Sequence, residues 1–223
     1  MTKRLFMVIA ASVLFLSMCS FLNDSDKNQK SLIETVLDET KLHKNKIDIK
    51  NPTTPYKALN DNIYQHLEEV RHDFYSFLTE PEVQADQEYT LYVTYNESTY
   101  KDILSYIFYI ETYTGGAHPD HKIWTVNYDV KKNEFITIDT LINNNPDILK
   151  ALSEASRKKL LKNPKITSTE MMYSGTTPEK TNFEHFNFLE NGLVIYFERY
   201  QVAPYVSGSI SVTIPYHELS LNY

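Results

Sequence analysis

Apolar residues recur along the chain at two different spacings, which predict helices and strands in separate segments. In residues 56–78 they return every three or four positions, as a helix with one buried face requires. Residues 89–95, 103–113, 123–130 and 209–214 are instead rich in β-branched and aromatic side chains, which favour strands. The chain therefore combines at least one long helix with several strands.

Shorter patterns complete this outline. Helical spacing of apolar residues predicts further helices at residues 31–44, 139–145 and 146–161. Alternation of apolar and polar residues predicts short strands at residues 46–50 and 135–138. Residues 163–182 carry little pattern and predict a loop. Asn191-Gly192 lies between the apolar runs 183–189 and 193–200 and predicts a hairpin with a type I′ turn, which needs positive φ at both central positions.

Most of the predicted strands are joined by short turns, with helices between some of them. This order favours an α+β fold with a mainly antiparallel sheet, two packed helices and two intimately associated halves. A chain of 223 residues can bury a core without a disulfide or a metal, and we expect a monomer.

The first 18 residues have the pattern of an export signal. Lys3 and Arg4 precede an apolar run, and small residues follow it. The polar stretch after the run predicts that residues 19–45 form a tether with one short helix.

Residues 16–19, Leu-Ser-Met-Cys, resemble the bacterial lipobox, in which the cysteine becomes lipid-modified and is the first mature residue. Met18 departs from that pattern, because the position before the cysteine is normally a small residue. The resemblance implies lipidation of Cys19 and an exported protein anchored to the outer face of the cytoplasmic membrane. The alternative is an uncleaved signal anchor, which leaves the rest of the chain on the same side of the membrane.

Composition excludes several classes of protein. The formal net charge is −7, from 22 Lys and Arg against 29 Asp and Glu, which argues against a nucleic-acid partner. Cys19 is the single cysteine, so an internal disulfide and a thiolate zinc cluster are both excluded. Hydrophobic residues make up 42% of the chain, and it has only 5 Gly, so collagen and wholesale disorder do not fit.

Motifs for catalysis and for cofactor binding are absent from the sequence. It contains no nucleophile elbow, no phosphate loop and no His-Glu-x-x-His. His118 and His121 are three residues apart, but a catalytic zinc needs about three protein ligands. We therefore expect neither a metal nor another cofactor.

Two predicted turns carry the best candidate ligand contacts. Gly115 and Gly116 follow a predicted strand, where glycines either form a tight turn or let the backbone approach a ligand closely. Most of the 17 tyrosines fit half-buried strands, but a few stand beside turn signals, where an exposed ring is a good contact for proteins or sugars. The predicted ligand-binding residues are Thr114, Gly115, Gly116, His118, Pro119, Tyr200, Pro204 and Tyr205.

Two sequence blocks, taken together, resemble the extracytoplasmic domain of the anti-sigma-V factor, the lysozyme-sensing anti-sigma factor of Gram-positive bacteria. The first block is residues 113–119, Tyr-Thr-Gly-Gly-Ala-His-Pro, followed by residues 127–129 and 136–139. The second is residues 192–197, then residues 202–208, Val-Ala-Pro-Tyr-Val-Ser-Gly, and residues 212–219. The resemblance implies that residues 113–223 form a domain like the C-terminal part of that family. It also implies that residues 46–112 are similar to a domain that accompanies peptidoglycan deacetylases.

The resemblance implies recognition of cell-wall glycan or of a basic muramidase. Only Met1–Arg4 precede the apolar run, and no deacetylase motif follows the two blocks, so we expect neither sigma-factor sequestration nor deacetylation. The leading hypothesis is a non-enzymatic cell-surface lipoprotein that binds a cell-wall component or a lysozyme-like protein. The alternatives are an enzyme acting on peptidoglycan, with His118 and His121 at a metal or as acid and base, and a structural envelope protein without a soluble ligand.

Overall fold

The computed structural model describes residues 45–84 and 86–221. The predicted export signal, the lipidation of Cys19 and the helix at residues 31–44 lie outside the described residues. No helix in the described part of the chain is long and apolar enough to cross a membrane.

Two sheets and several helices confirm the predicted α+β class. The first sheet has the order β1-β2-β3-β4-β5 and consists of β1 (Lys46–Ile49), β2 (Thr90–Tyr100), β3 (Ile103–Tyr113), β4 (Asp120–Asp129) and β5 (Glu134–Phe135). The second sheet has the order β6-β7-β8 and consists of β6 (Phe186–Leu189), β7 (Gly192–Phe197) and β8 (Ile210–Ile214). Only β1 and β2 pair in parallel; the other pairs in both sheets are antiparallel.

Among residues 45–84 and 86–221, two α-helices are long and two are short. They are α1 (Lys57–Leu78), α2 (Ile138–Asn144), α3 (Ile148–Leu160) and α4 (Thr169–Ser174). Single 3₁₀ turns occur at Lys180–Asn182, Tyr205–Ser207 and Tyr216–Glu218.

The described residues divide into two compact units. The smaller unit contains Asn45 and His72–Tyr89, apart from residue 85. Within it, the Tyr89 ring packs edge-on against Phe77 with centroids 5.3 Å apart. The Tyr89 hydroxyl accepts a hydrogen bond from the Gln84 amide at 2.9 Å, and the Tyr89 amide donates to Asn45 Oδ1 at 3.2 Å.

The larger unit contains residues 46–71 and 90–221 and holds both sheets. One face of its first sheet carries Trp124 and Tyr128, because residues four apart on a strand point to the same side. The start of α1 packs on this face: His66 stacks on Trp124 with centroids 4.0 Å apart, and Tyr56 lies 5.9 Å from Tyr128. The predicted boundary between residues 112 and 113 stays a prediction.

The opposite face of the first sheet meets β6 through buried polar side chains. Asn187 of β6 donates to Asn127 Oδ1 and to the Tyr106 carbonyl, both at 3.1 Å. Asn127 donates to the Phe186 carbonyl at 2.8 Å, and Ser105 Oγ accepts from the Phe188 amide at 3.2 Å. Since β6 is an edge strand, its outward backbone groups would otherwise be buried without partners, which costs free energy.

The hairpin between β6 and β7 forms, but its predicted turn is wrong. Leu189 pairs with Gly192, so Glu190 and Asn191 are the two central residues and Gly192 already belongs to β7. A Cβ atom on Gly192 would lie 2.2 Å from the Ile214 carbonyl oxygen, far inside van der Waals contact. The glycine therefore permits the close approach of β7 to the end of β8.

Two further differences have local causes. The predicted strand at residues 135–138 ends at Phe135, because Thr137 caps α2: its side chain accepts from the Thr140 amide at 3.4 Å. The predicted loop at residues 163–182 contains α4, which begins after Ser168, whose hydroxyl accepts from the Met171 amide at 3.3 Å.

Candidate functional site

The two turns that the sequence singled out meet in the larger unit, although more than 80 residues separate them. The His118 ring stacks on the Tyr205 ring, with centroids 4.1 Å apart and planes inclined by 26°. The Tyr205 hydroxyl donates a hydrogen bond to the Pro119 carbonyl at 2.9 Å. Tyr205 is thus the contact that joins the turn after β3 to the segment after β7.

The first turn owes its shape to its two glycines. Gly115 has a φ of 92° and Gly116 a φ of 106°, values that L side chains rarely adopt. The Tyr113 hydroxyl closes the turn by donating to the Gly116 carbonyl at 3.1 Å. Nothing lies within 4 Å of a Cβ built on Gly116, so its backbone conformation, and not close packing, calls for glycine. Thr114 and His118 are both exposed on this turn.

The second turn presents an exposed aromatic ring beside Tyr205. Pro204, with φ fixed near −57°, precedes the 3₁₀ turn Tyr205–Ser207. Tyr200 has a φ of 67°, is 58% exposed and lies 5.4 Å from the Tyr205 ring. Val206, at the tip, is 92% exposed. We call His118, Tyr200 and Tyr205 together the aromatic surface.

Arg199 adds a cation that the sequence analysis did not identify. Its guanidinium carbon lies 4.4 Å from the centre of the Tyr205 ring, which is a cation–π arrangement. Its Nε is buried and has no hydrogen-bond partner among the described residues. Arginine near the end of a predicted strand is common, so the sequence held no local signal for this position.

A groove opens next to Arg199 on the first sheet. Tyr92, Glu111 and His121 form one row across its floor, because they are paired across β2, β3 and β4. The groove has a volume of about 280 Å³ and includes Tyr109 and Arg199 in its lining.

Glu111 and His121 form a pair in this groove, with His121 Nδ1 3.4 Å from Glu111 Oε2. Burial is the main cause that lowers the pKa of His121, and the positive charge of Arg199 lowers it further; Glu111 opposes both. The imidazole is therefore neutral at pH 7, and the lining of the groove contains the acidic Glu111 as well as the basic Lys122 and Arg199.

His118 and His121 both lie near Tyr205, with ring centroids at 4.1 Å and 6.2 Å from it. Among residues 45–84 and 86–221, no group of three or more His, Cys, Asp or Glu side chains is arranged to hold a metal ion.

A second cleft of about 400 Å³ lies beside Trp124 and was not anticipated from the sequence. Lys180 and Asp139 form an ion pair at 2.7 Å in its wall. His185, also in the wall, lies 3.6 Å from Glu198, and burial lowers its pKa against the opposing charge of that carboxylate. Lys180 and Asp139 in this cleft are thus paired with each other, and Glu184 is a further acidic residue of its lining.

The second turn lies in a segment of the chain that matches a known protein family. Residues 139–217 match the family described as "Protein of unknown function (DUF3298)". This segment includes Tyr200, Pro204 and Tyr205, whereas the glycine turn at residues 114–119 precedes it.

Among curated proteins, the chain is similar to the peptidoglycan-N-acetylmuramic acid deacetylase PdaC of Bacillus subtilis (strain 168). The two are 35% identical over 136 residues, which is 58% of this chain and 29% of that protein. The chain thus matches less than a third of the length of this curated relative.

Two solved structures from bacteria were compared with this chain. A DUF3298 family protein from Pseudomonas aeruginosa PAO1 superposes with a TM-score of 0.61 at 15% identity, covering 78% of this chain and 83% of that one. A DUF3298 family member from Bacteroides fragilis NCTC 9343 gives a TM-score of 0.49 at 22% identity, covering 75% of this chain and 69% of that one. The first likeness shows a shared fold and nothing about ligands.

Proposed function

We propose that this protein is a non-enzymatic protein of the cell envelope that binds a cell-wall component through the aromatic surface. The observation that carries the proposal is the meeting of two turns, distant in sequence, that expose His118 and Tyr200 next to Tyr205. Aromatic rings that combine an apolar face with a polar edge are effective contacts for sugars and for proteins.

The relative in Bacillus subtilis favours peptidoglycan as the source of the ligand, because its name states that it acts on peptidoglycan-N-acetylmuramic acid. Its deacetylase activity is not part of the proposal, since the match covers 29% of its length. Export and anchoring at the outer face of the cytoplasmic membrane through Cys19 complete the proposal, because they bring the domain to the wall.

A lysozyme-like protein is a second candidate ligand. Val206 is an exposed aliphatic side chain at the tip of the second turn, and such a residue suits a protein surface better than a glycan. The formal net charge of −7 favours encounter with a cationic muramidase. The resemblance to the anti-sigma-V family also favours a lysozyme-like ligand.

A retention experiment separates these ligands. The full chain, solubilised in detergent, is mixed with purified sacculi or with an immobilised cationic lysozyme at low and at high salt. Tyr200→Ala is compared with Tyr64→Ala, since both tyrosines are 58% exposed but Tyr64 lies on α1. We expect Tyr200→Ala to lower affinity about tenfold, as the loss of a contact residue does, and Tyr64→Ala to leave it unchanged.

The salt dependence of retention distinguishes the two ligands. Retention on sacculi through stacking should persist at high salt, whereas capture by immobilised lysozyme should weaken. Retention by neither ligand, or equal retention of the two variants, would contradict the proposal.

Two alternatives make different predictions in the same preparation. An enzyme would consume muropeptides and lose that turnover in a His118→Ala/His121→Ala variant. A structural envelope protein would bind neither sacculi nor lysozyme and would instead copurify with another envelope protein.

A further inference from the structure

We infer that Arg199 and the groove beside it form a carboxylate-binding site that adjoins the aromatic surface. This inference rests on the proposed function, since the same cell-wall ligand would contact both features. It specifies that the ligand carries a carboxylate, which Arg199 would bind with two parallel hydrogen bonds.

Arg199 differs from the other described arginines in having no acceptor. Arg71 donates to Glu68, and Arg157 donates to Thr176 Oγ1 at 2.9 Å and to the Tyr173 carbonyl at 3.1 Å. In residues 45–84 and 86–221, no hydrogen bond or ion pair holds Arg199, and its Nε is buried without a partner. Arg199 is partly exposed, so a ligand oxygen can reach its guanidinium without displacing a protein acceptor.

Two carboxylates in this region contact groups other than Arg199. Glu198, the residue before Arg199, accepts from the Ile123 amide at 3.2 Å and lies 3.6 Å from His185. Glu111 faces His121 at 3.4 Å. The positive charge of Arg199 is therefore free of a direct protein partner, while stacking on Tyr205 fixes its position.

The rest of the groove suits a small polar ligand. Its lining contains hydroxyl groups, which can donate or accept hydrogen bonds; they belong to Tyr92, Thr94, Tyr109 and Ser209. Lys122, an exposed second cation, lies in the same lining. The volume of about 280 Å³ is at the lower end for ligand pockets and fits one sugar residue or a dipeptide.

A carboxylate could come from either of two parts of a cell wall. One is the lactyl group of a muramic acid residue that carries no stem peptide, and the other is the C-terminus of a peptide. Two matched probe pairs distinguish them: N-acetylmuramic acid against N-acetylglucosamine, which lacks the lactyl group, and N-acetyl-D-alanyl-D-alanine against its C-terminal amide.

The experiment measures the affinity of the detergent-solubilised full chain for all four probes by calorimetry. We expect at least one acid to bind about tenfold or more tightly than its neutral partner. Arg199→Gln should abolish this preference, and Arg199→Lys should retain only part of it, since an ammonium lacks the two parallel donors. Arg71→Gln, on α1, is the control variant and should behave as the wild type, and thermal melts confirm that each variant folds.

Three results would overturn the inference: equal affinity within both pairs, an acid preference that survives Arg199→Gln, or no binding of any probe up to about 10 mM. Retention on sacculi, measured with the same proteins, separates this failure from failure of the proposed function. If sacculi retain the wild type while no acid is preferred, only the carboxylate site is wrong. If an acid binds through Arg199 but sacculi are not retained, the site stands and the proposed function fails.

Discussion

Substitution of Tyr205 by phenylalanine tests whether this residue holds the two turns together. The change removes one hydroxyl, which donates to the Pro119 carbonyl at 2.9 Å, and keeps the ring that stacks on His118. We therefore expect a small, specific loss of stability with the aromatic surface still in place.

The magnitude follows from the contacts of Tyr205. One neutral hydrogen bond contributes about 0.5–1.5 kcal/mol, and Pro119 is half-buried, so water can reach its freed carbonyl and the loss should be about 1 kcal/mol. Tyr205→Ala also removes the stack on His118, about 0.5–1.5 kcal/mol, and the cation–π contact with Arg199, about 0.5–1 kcal/mol. The alanine variant should thus lose about 2–3.5 kcal/mol in total.

Urea unfolding of the two variants measures both losses, and a melting experiment should show a shift of about 2–4 °C for the phenylalanine variant. Tyr64→Phe is the control, because Tyr64 is 58% exposed on α1 and loss of its hydroxyl should change stability by less than about 0.5 kcal/mol. The reasoning is refuted if Tyr205→Ala is as stable as the wild type, since the turns would then meet without this contact.

Two other predictions concern the framework of the site. Gly192→Ala should lower the free energy of unfolding, measured in urea, by about 2–3 kcal/mol, because its Cβ would lie 2.2 Å from the Ile214 carbonyl oxygen. Gly116→Ala should lower it by less, because the space around Gly116 is open. Equal losses in the two variants would contradict this explanation. Burial lowers the pKa of His185 below its ordinary 6.5 in the folded state, so the unfolded state binds the proton first and the free energy of unfolding should fall as pH drops below about 6.5. His185→Gln should reduce that slope, and an unchanged slope between pH 7.5 and 5.5 would argue against it.

Patterns that depend on local sequence were predicted well. The strand at residues 103–113 has the predicted bounds, and α1 begins one residue after the predicted start, because long runs of consistent spacing leave few alternatives. The strand β2 instead runs to Tyr100, five residues beyond its prediction. Residues 96–100 include polar side chains without clear alternation, and their pairing with residues 103–107 of β3 keeps them extended.

In the candidate site, too, the features that depend on neighbouring residues were predicted, and the contacts between distant residues were not. Each turn has a local signal, the glycine pair in the first and Pro204 with its tyrosines in the second. Their contact has none, because it depends on how the two sheets pack. Arg199 was missed for that reason, since only the position of Tyr205 in space gives its guanidinium a ring to stack on.

The buried hydrogen bonds of Asn127 and Asn187 between the two sheets explain how the contact of His118 with Tyr205 is fixed. His118 lies in the turn between β3 and β4 of the first sheet, and Tyr205 lies between β7 and β8 of the second. Their distance therefore depends on the register of β6 against β3 and β4. Apolar contacts alone would allow small shifts, whereas the hydrogen bonds of Asn127 and Asn187 are satisfied in one register only. The segment that matches DUF3298 contains Asn187 and Tyr205 but neither Asn127 nor His118. In this chain the aromatic surface therefore requires the preceding strands, and residues 139–217 by themselves cannot form it.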